Sequence, residues 1–139
     1  MKPRLPWIVC GLLLTLAVAG CAGADAIVLP DAAEVTAVRV TAGDAVTLRT
    51  DRAWIEGFLQ QAAEAVSTGG ESVQDAPDQP GAVRVELGTG EPPDWSVLYV
   101  YEADGACCLE QPYTGIYQGD EALWTFLAAG AAPEGRDPR

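Results

Sequence analysis

At Thr50 the spacing of apolar residues changes period, and that switch constrains the fold more than any other feature of the chain. Before it, Glu34–Thr41 (EVTAVRVT) and Ala45–Thr50 (AVTLRT) are rich in β-branched residues and flank the turn residues Ala42-Gly43-Asp44, which predicts a β-hairpin. Val38 and Val40 are expected to share an inward face with Val46 and Leu48, leaving Arg39, Thr47 and Arg49 outside. After it, Trp54, Ile55, Phe58, Leu59, Ala62, Ala63 and Val66 recur at spacings of one, three and four, the stripe of an amphipathic helix. Thr50 or Asp51 is placed to cap its first turn, and Ser67-Thr68-Gly69-Gly70 to end it. Trp54 and Phe58 are read as core rather than as a ligand-binding pair.

The first twenty-odd residues carry a different signal. Lys2 and Arg4 precede an apolar run from Trp7 to Ala19 that ends in small residues, the three zones of an export signal. Val18-Ala19-Gly20-Cys21 resembles the bacterial lipobox, whose cysteine receives a diacylglyceryl group before the leader is removed. That resemblance implies a signal peptide at 1–20, Cys21 as a lipidated first residue, and a domain held at the extracytoplasmic face of the cell membrane. Two acyl chains suffice for stable anchoring. A retained anchor is the competing reading, since Leu5 to Ala24 is uncharged and about twenty residues cross a bilayer. Pro6, Gly11, Gly20 and Gly23 count against it.

Without residues 1–20 the chain is still long enough to bury about two thirds of its unfolded surface in one core. Residues 21–33 read as a lipidated N-terminus and small-residue linker, 34–130 as the domain, and 131–139 as a disordered tail. All the carboxylates follow Cys21, and the net charge is −12 with no histidine. Nucleic acid and anionic headgroups are therefore unsuited as partners.

Beyond the helix, Ser67–Gly81 is rich in glycine, proline and acids and is expected to be an exposed, mobile connection. Glu71, Asp75 and Asp78 lack the residue order of a calcium loop, so no metal is assigned. Ala82–Leu87 (AVRVEL) alternates as a strand with Val83, Val85 and Leu87 inward. The Gly88–Asp94 turn leads to Trp95–Glu102 (WSVLYVYE), a strand apolar on both faces, with Trp95, Val97, Tyr99 and Tyr101 on one and Leu98 and Val100 on the other. Tyr113–Gln118 (YTGIYQ) is a further short strand. Asp120 caps a helix from Glu121 to Ala129, presenting Leu123, Trp124 and Leu127, which Gly130 stops. The expected class is α+β, a single small domain with an antiparallel sheet in the order strand-strand-helix-strand-strand-strand-helix.

Chemistry is sparse. Trp95, Tyr99 and Tyr101 at period two would make a binding platform for a glycan or protein if their face were open; the simpler expectation is that helices cover it. With Cys10 in the leader and Cys21 lipidated, Cys107 and Cys108 pair with each other or with nothing. A vicinal bridge is strained because neighbouring Cα atoms are about 3.8 Å apart, below the usual disulfide span. Two thiols on opposite faces of a strand are expected instead. A catalytic thiol lacks a histidine base, and Glu110 beside it would raise its pKa. No cofactor and no catalytic residue is assigned.

Val38, Val40, Leu48, Thr50, Asp51, Trp54, Phe58, Trp95, Tyr99, Tyr117, Leu123 and Leu127 together resemble the core pattern of YhfM-like domains, found in small lipoproteins of Gram-positive bacteria. The resemblance spans about Glu34 to Ala129 and implies fold and location. It implies no activity, and the paired cysteines are not part of it. Two functions remain at this point. One is an envelope-tethered binding or accessory module; the other is an envelope enzyme using a carboxylate pair or the Cys107/Cys108 dithiol.

Overall fold

Two helices lie on one face of a seven-stranded antiparallel sheet in the computed structural model, which describes residues 26–131. In chain order the elements are β1 (Val35–Ala42), β2 (Ala45–Arg49), α1 (Arg52–Ala63), β3 (Val66–Gly70), β4 (Val83–Thr89), β5 (Asp94–Ala103), β6 (Ala106–Gln111), β7 (Gly115–Gln118) and α2 (Glu121–Ala131). The class is α+β, with two strands more than the expected element order holds: β3, and β6, the strand expected to carry the cysteines but left out of that order. Spatially the strands run β2-β1-β4-β5-β6-β7-β3. Helix α1 thus carries the chain from one sheet edge to the other, and the β3–β4 connection brings it back to the middle.

The core forms where α1 and α2 meet the inner sheet face. Ile55, Phe58 and Ala62 of α1 and Leu123 and Leu127 of α2 pack with Val38, Val40, Val85, Leu98, Val100 and Leu109, all essentially inaccessible. Asp51 caps α1 by accepting a bond from the Trp54 amide at 3.1 Å, and Asp120 accepts one from the Ala122 amide at 2.8 Å. Each satisfies an orphan donor of a first turn.

Several expectations are corrected. β1 and β2 pair with Ala42 opposite Ala45, so the loop is the two residues Gly43 and Asp44 rather than three. Val38 and Val40 then face Arg49 and Thr47, and Val46 and Leu48 fall on the opposite, outer side, 63% and 59% exposed. The side-chain period of two makes a one-residue change in the turn reverse the whole face. Gly43, at φ +58°, supplies the left-handed conformation such a tight turn requires.

The α1 stripe ends sooner than its sequence suggests. The helix stops at Ala63, and Val66 begins β3, where it pairs with Gln118 and is 55% exposed. The predicted loop from Ser67 therefore opens with an edge strand, whose only propensity signal is diluted by two glycines; pairing with β7 organises it. Gly130 does not stop α2 but lies inside it, at a point where a Cβ would come within 2.7 Å of Trp54 Nε1 and only glycine fits. Trp54 in turn stacks on Phe58, centroids 5.6 Å apart, and meets Phe126 at 5.2 Å.

The stretch before β1 is not a free linker either. Ile27 is buried in the core, Leu29 packs against it, and Ala26 bridges to Val66. Gln111 donates to the Val28 carbonyl at 2.7 Å, and Arg52 donates to the carbonyls of Ala32 and Val35. The leader, Cys21 and the tail beyond residue 131 lie outside the described residues. Among the described residues no helix is long and apolar enough to cross a membrane.

Phe58→Ala should cost about 3–5 kcal/mol, as for other large core truncations, whereas Val66→Thr should stay within about 0.5 kcal/mol, as an exposed position does. Denaturant unfolding of both variants checks the helix boundary: equal losses would return Val66 to the α1 stripe.

Candidate functional site

Because both helices occupy the inner face, the outer face of the sheet has no covering layer of regular structure among the described residues. This reverses the expectation that helices cover the aromatic side of β5. Strand register arranges that face in rows. One row runs Leu48, Arg39, Glu86, Val97; the next runs Val46, Thr41, Arg84, Tyr99, Glu110, Ile116. An ionic centre thus sits between two apolar margins.

That centre is Glu86, buried to 8% exposure and held between two arginines. Its carboxylate accepts from Arg39 at 3.3 Å and from Arg84 at 3.2 Å. Two guanidiniums against one carboxylate leave a local excess of positive charge in an otherwise acidic chain. Arg39 also lies 4.3 Å from the centroid of the Trp95 ring, a cation–π contact. The ring rests over Gly88, where a Cβ would come within 2.9 Å of it. Only glycine lets the indole approach the backbone so closely.

Of the aromatics expected to form a platform, Trp95 and Tyr99 remain half-buried on this face, but Tyr101 is withdrawn at 5% exposure. Its hydroxyl donates to Glu110 at 3.2 Å, and Ser72 donates to the other carboxylate oxygen at 2.7 Å. The β3–β4 connection therefore passes over this part of the face, pinned at Ser72. Asp75 lies close enough to Tyr113 to raise that phenol's pKa. The stretch expected to be mobile is thus tied to the sheet at Ser72. Burial, then the Glu110 charge, pushes Tyr101 from an ordinary 10.0 to about 12.

Sequence reasoning missed both carboxylate clusters. Glu86 and Glu110 each sit on an alternating strand with one partner nearby, Arg84 and Tyr101, but the second partner of each, Arg39 and Ser72, is 47 and 38 residues away.

Cys107 and Cys108 are free thiols on opposite faces of β6. Cys107 is buried beneath α2, and burial, with Cys108 beside it, raises its pKa from 9.0 to about 11. Cys108 faces outward opposite Tyr101, and its pKa is also raised, by burial and then by Asp104. Both shifts disfavour the thiolate, the form that nucleophilic and redox chemistry use. Among the described residues no cluster of three or more histidines, cysteines or acids could hold a metal. A groove of about 560 Å³ between the helices is lined by Glu64 and Asp120, but Asp120 is committed to capping α2.

A family model described as "Domain of unknown function (DUF5300)" matches residues 23–118. The chain belongs to this family. The match begins ahead of β1, in keeping with the packed stretch from Ala26, and ends with β7. No curated protein matches the chain. Among solved structures, one described as "NMR structure of the protein from Ruminococcus gnavus" is similar at 22% identity with a TM-score of 0.60, covering 71% of this chain and 99% of that one. The likeness extends to the fold.

Two predictions follow from the buried protons. Folding stability should fall as pH rises from about 9 to about 12, because the unfolded chain releases the Cys107 and Tyr101 protons near 9.0 and 10.0 while the fold retains them to about 11 and about 12; below those values the contribution is complete. Tyr101→Phe should flatten the upper part of that decline in pH-dependent melting. Cys107 should resist alkylation at neutral pH until the protein is unfolded, which intact mass after native and denaturing labelling measures.

Proposed function

We propose that this chain is a bacterial cell-envelope lipoprotein, anchored through Cys21 on the extracytoplasmic face of the cell membrane, whose domain binds another envelope protein through the outer face of its sheet. One observation carries the binding reading: both helices pack on the inner face, leaving Trp95, Val97 and Tyr99 beside the Arg39–Glu86–Arg84 cluster without a covering layer among the described residues. Aromatic and arginine side chains on a flat, mixed surface suit a protein interface. A glycan fits less well, because Arg39 and Gly88 already occupy the Trp95 ring that a sugar would stack on.

The anchor rests on the charged start, the apolar run and the Val18-Ala19-Gly20-Cys21 resemblance to a lipobox. The likeness to YhfM-like lipoprotein domains agrees with it. With Ala26 already joined to β3, the five steps from Cys21 reach only about 17 Å. Such a module acts close to the membrane surface. The dithiol-enzyme reading gains nothing from thiols on opposite strand faces with raised pKa values.

Cys21→Ser should abolish incorporation of a fatty-acid probe in metabolic labelling; a Ser variant that still labels removes the anchor. Crosslinking in intact membranes followed by capture should recover a partner with wild type and lose it with Val97→Lys, while the melting temperature is kept. A capture profile unchanged by Val97→Lys refutes the binding face.

A further inference from the structure

The two edges of the sheet are treated differently. At the β3 edge Ala26 bridges to Val66, whereas along β2 no described strand or bridge lies beyond the pairing with β1. In a two-residue hairpin the closing pair, here Ala42 and Ala45, exchanges both backbone bonds. Alternation then turns the amides and carbonyls of Thr47 and Arg49 toward β1 and those of Val46 and Leu48 outward. The same two residues carry the exposed apolar side chains of the strand. Free backbone groups and uncovered apolar side chains at the same positions make a template for another strand.

We propose that β2 pairs antiparallel with β2 of a second copy, about a two-fold axis at Thr47, joining the two sheets into one. A two-fold axis perpendicular to the sheet keeps outer faces on one side, so Val46 of each copy lies opposite Leu48 of the other. Those are the residues whose backbone groups point outward, and their side chains then cover each other. Ala45 falls opposite Arg49. β2 itself contains one arginine and no acid, and Arg49 is already engaged on the inner face, donating to the Gly130 carbonyl and lying over the Trp54 ring, so the contact rests on the backbone ladder and the two Val46–Leu48 pairs. The chain's own residues 132–139 suit the edge poorly, having Pro133 and Pro138 and no large apolar residue to place on Val46 and Leu48. Five residues per copy bury a small area, so the contact is weak in solution and favoured where tethering concentrates the copies on a surface. It also merges the two outer faces into one continuous surface.

The register makes disulfide trapping selective. Thr47 and its symmetry mate form a non-hydrogen-bonded pair with Cα atoms about 4.5 Å apart, inside the range that a disulfide spans, whereas the two copies of Ala45 lie several residues apart along the strands. In the full chain carrying Cys107→Ser and Cys108→Ser, Thr47→Cys should give a reducible covalent dimer in cell membranes. Ala45→Cys should stay at the level of the parent. Adding Val46→Pro, which removes an outward donor that the β1 ladder does not use, should abolish the Thr47→Cys dimer without lowering the melting temperature appreciably; Leu48→Lys is the second such variant. Equal trapping of Thr47→Cys and Ala45→Cys, trapping that survives both edge variants, or none at all overturns the proposal.

Discussion

The packing of Ile55, Phe58, Leu59 and Ala62 onto the inner sheet face, reinforced by Leu123 and Leu127, is the contact on which the other features depend. It spends both helices on one side. Because α1 runs from the β2 edge to the β3 edge, the same contact carries the chain across the sheet and determines that β3 forms at the far side. The β3–β4 connection must then return over the opposite face, which is why Ser72 reaches Glu110 and why Tyr101 is covered. Among the described residues no element covers the part of the outer face from β2 to β5.

That exposed part is organised by charge as much as by apolar area. A carboxylate as withdrawn as Glu86 needs partners, since an unpaired buried charge is costly; Arg39 and Arg84 from β1 and β4 provide them. The arginines are thereby held in place, and Arg39 is also positioned over Trp95. A surface of restrained aromatic and guanidinium groups loses little conformational freedom when a partner docks. Glu110 is handled differently, with two neutral hydroxyl donors in place of a cation. Its role within the fold is to secure the returning connection.

The sequence by itself determined the local elements. The 3.6-residue stripe locates α1, alternation locates β4 and β5, and Asp51 and Asp120 mark the two helix starts, because each signal concerns residues within a turn or two of one another. Membership of the inner core was legible for Val38, Phe58, Leu98 and Leu127 for the same reason. Only the tertiary structure decided which face of β2 is buried, since a two-residue loop in place of three reverses it without altering strand composition. It alone made a strand of Val66–Gly70, whose order comes from β7 about fifty residues later. It alone placed both helices on the side away from Trp95 and Tyr99. Periodicity reports that a face is apolar but not what covers it; contacts between residues far apart in the chain settle that.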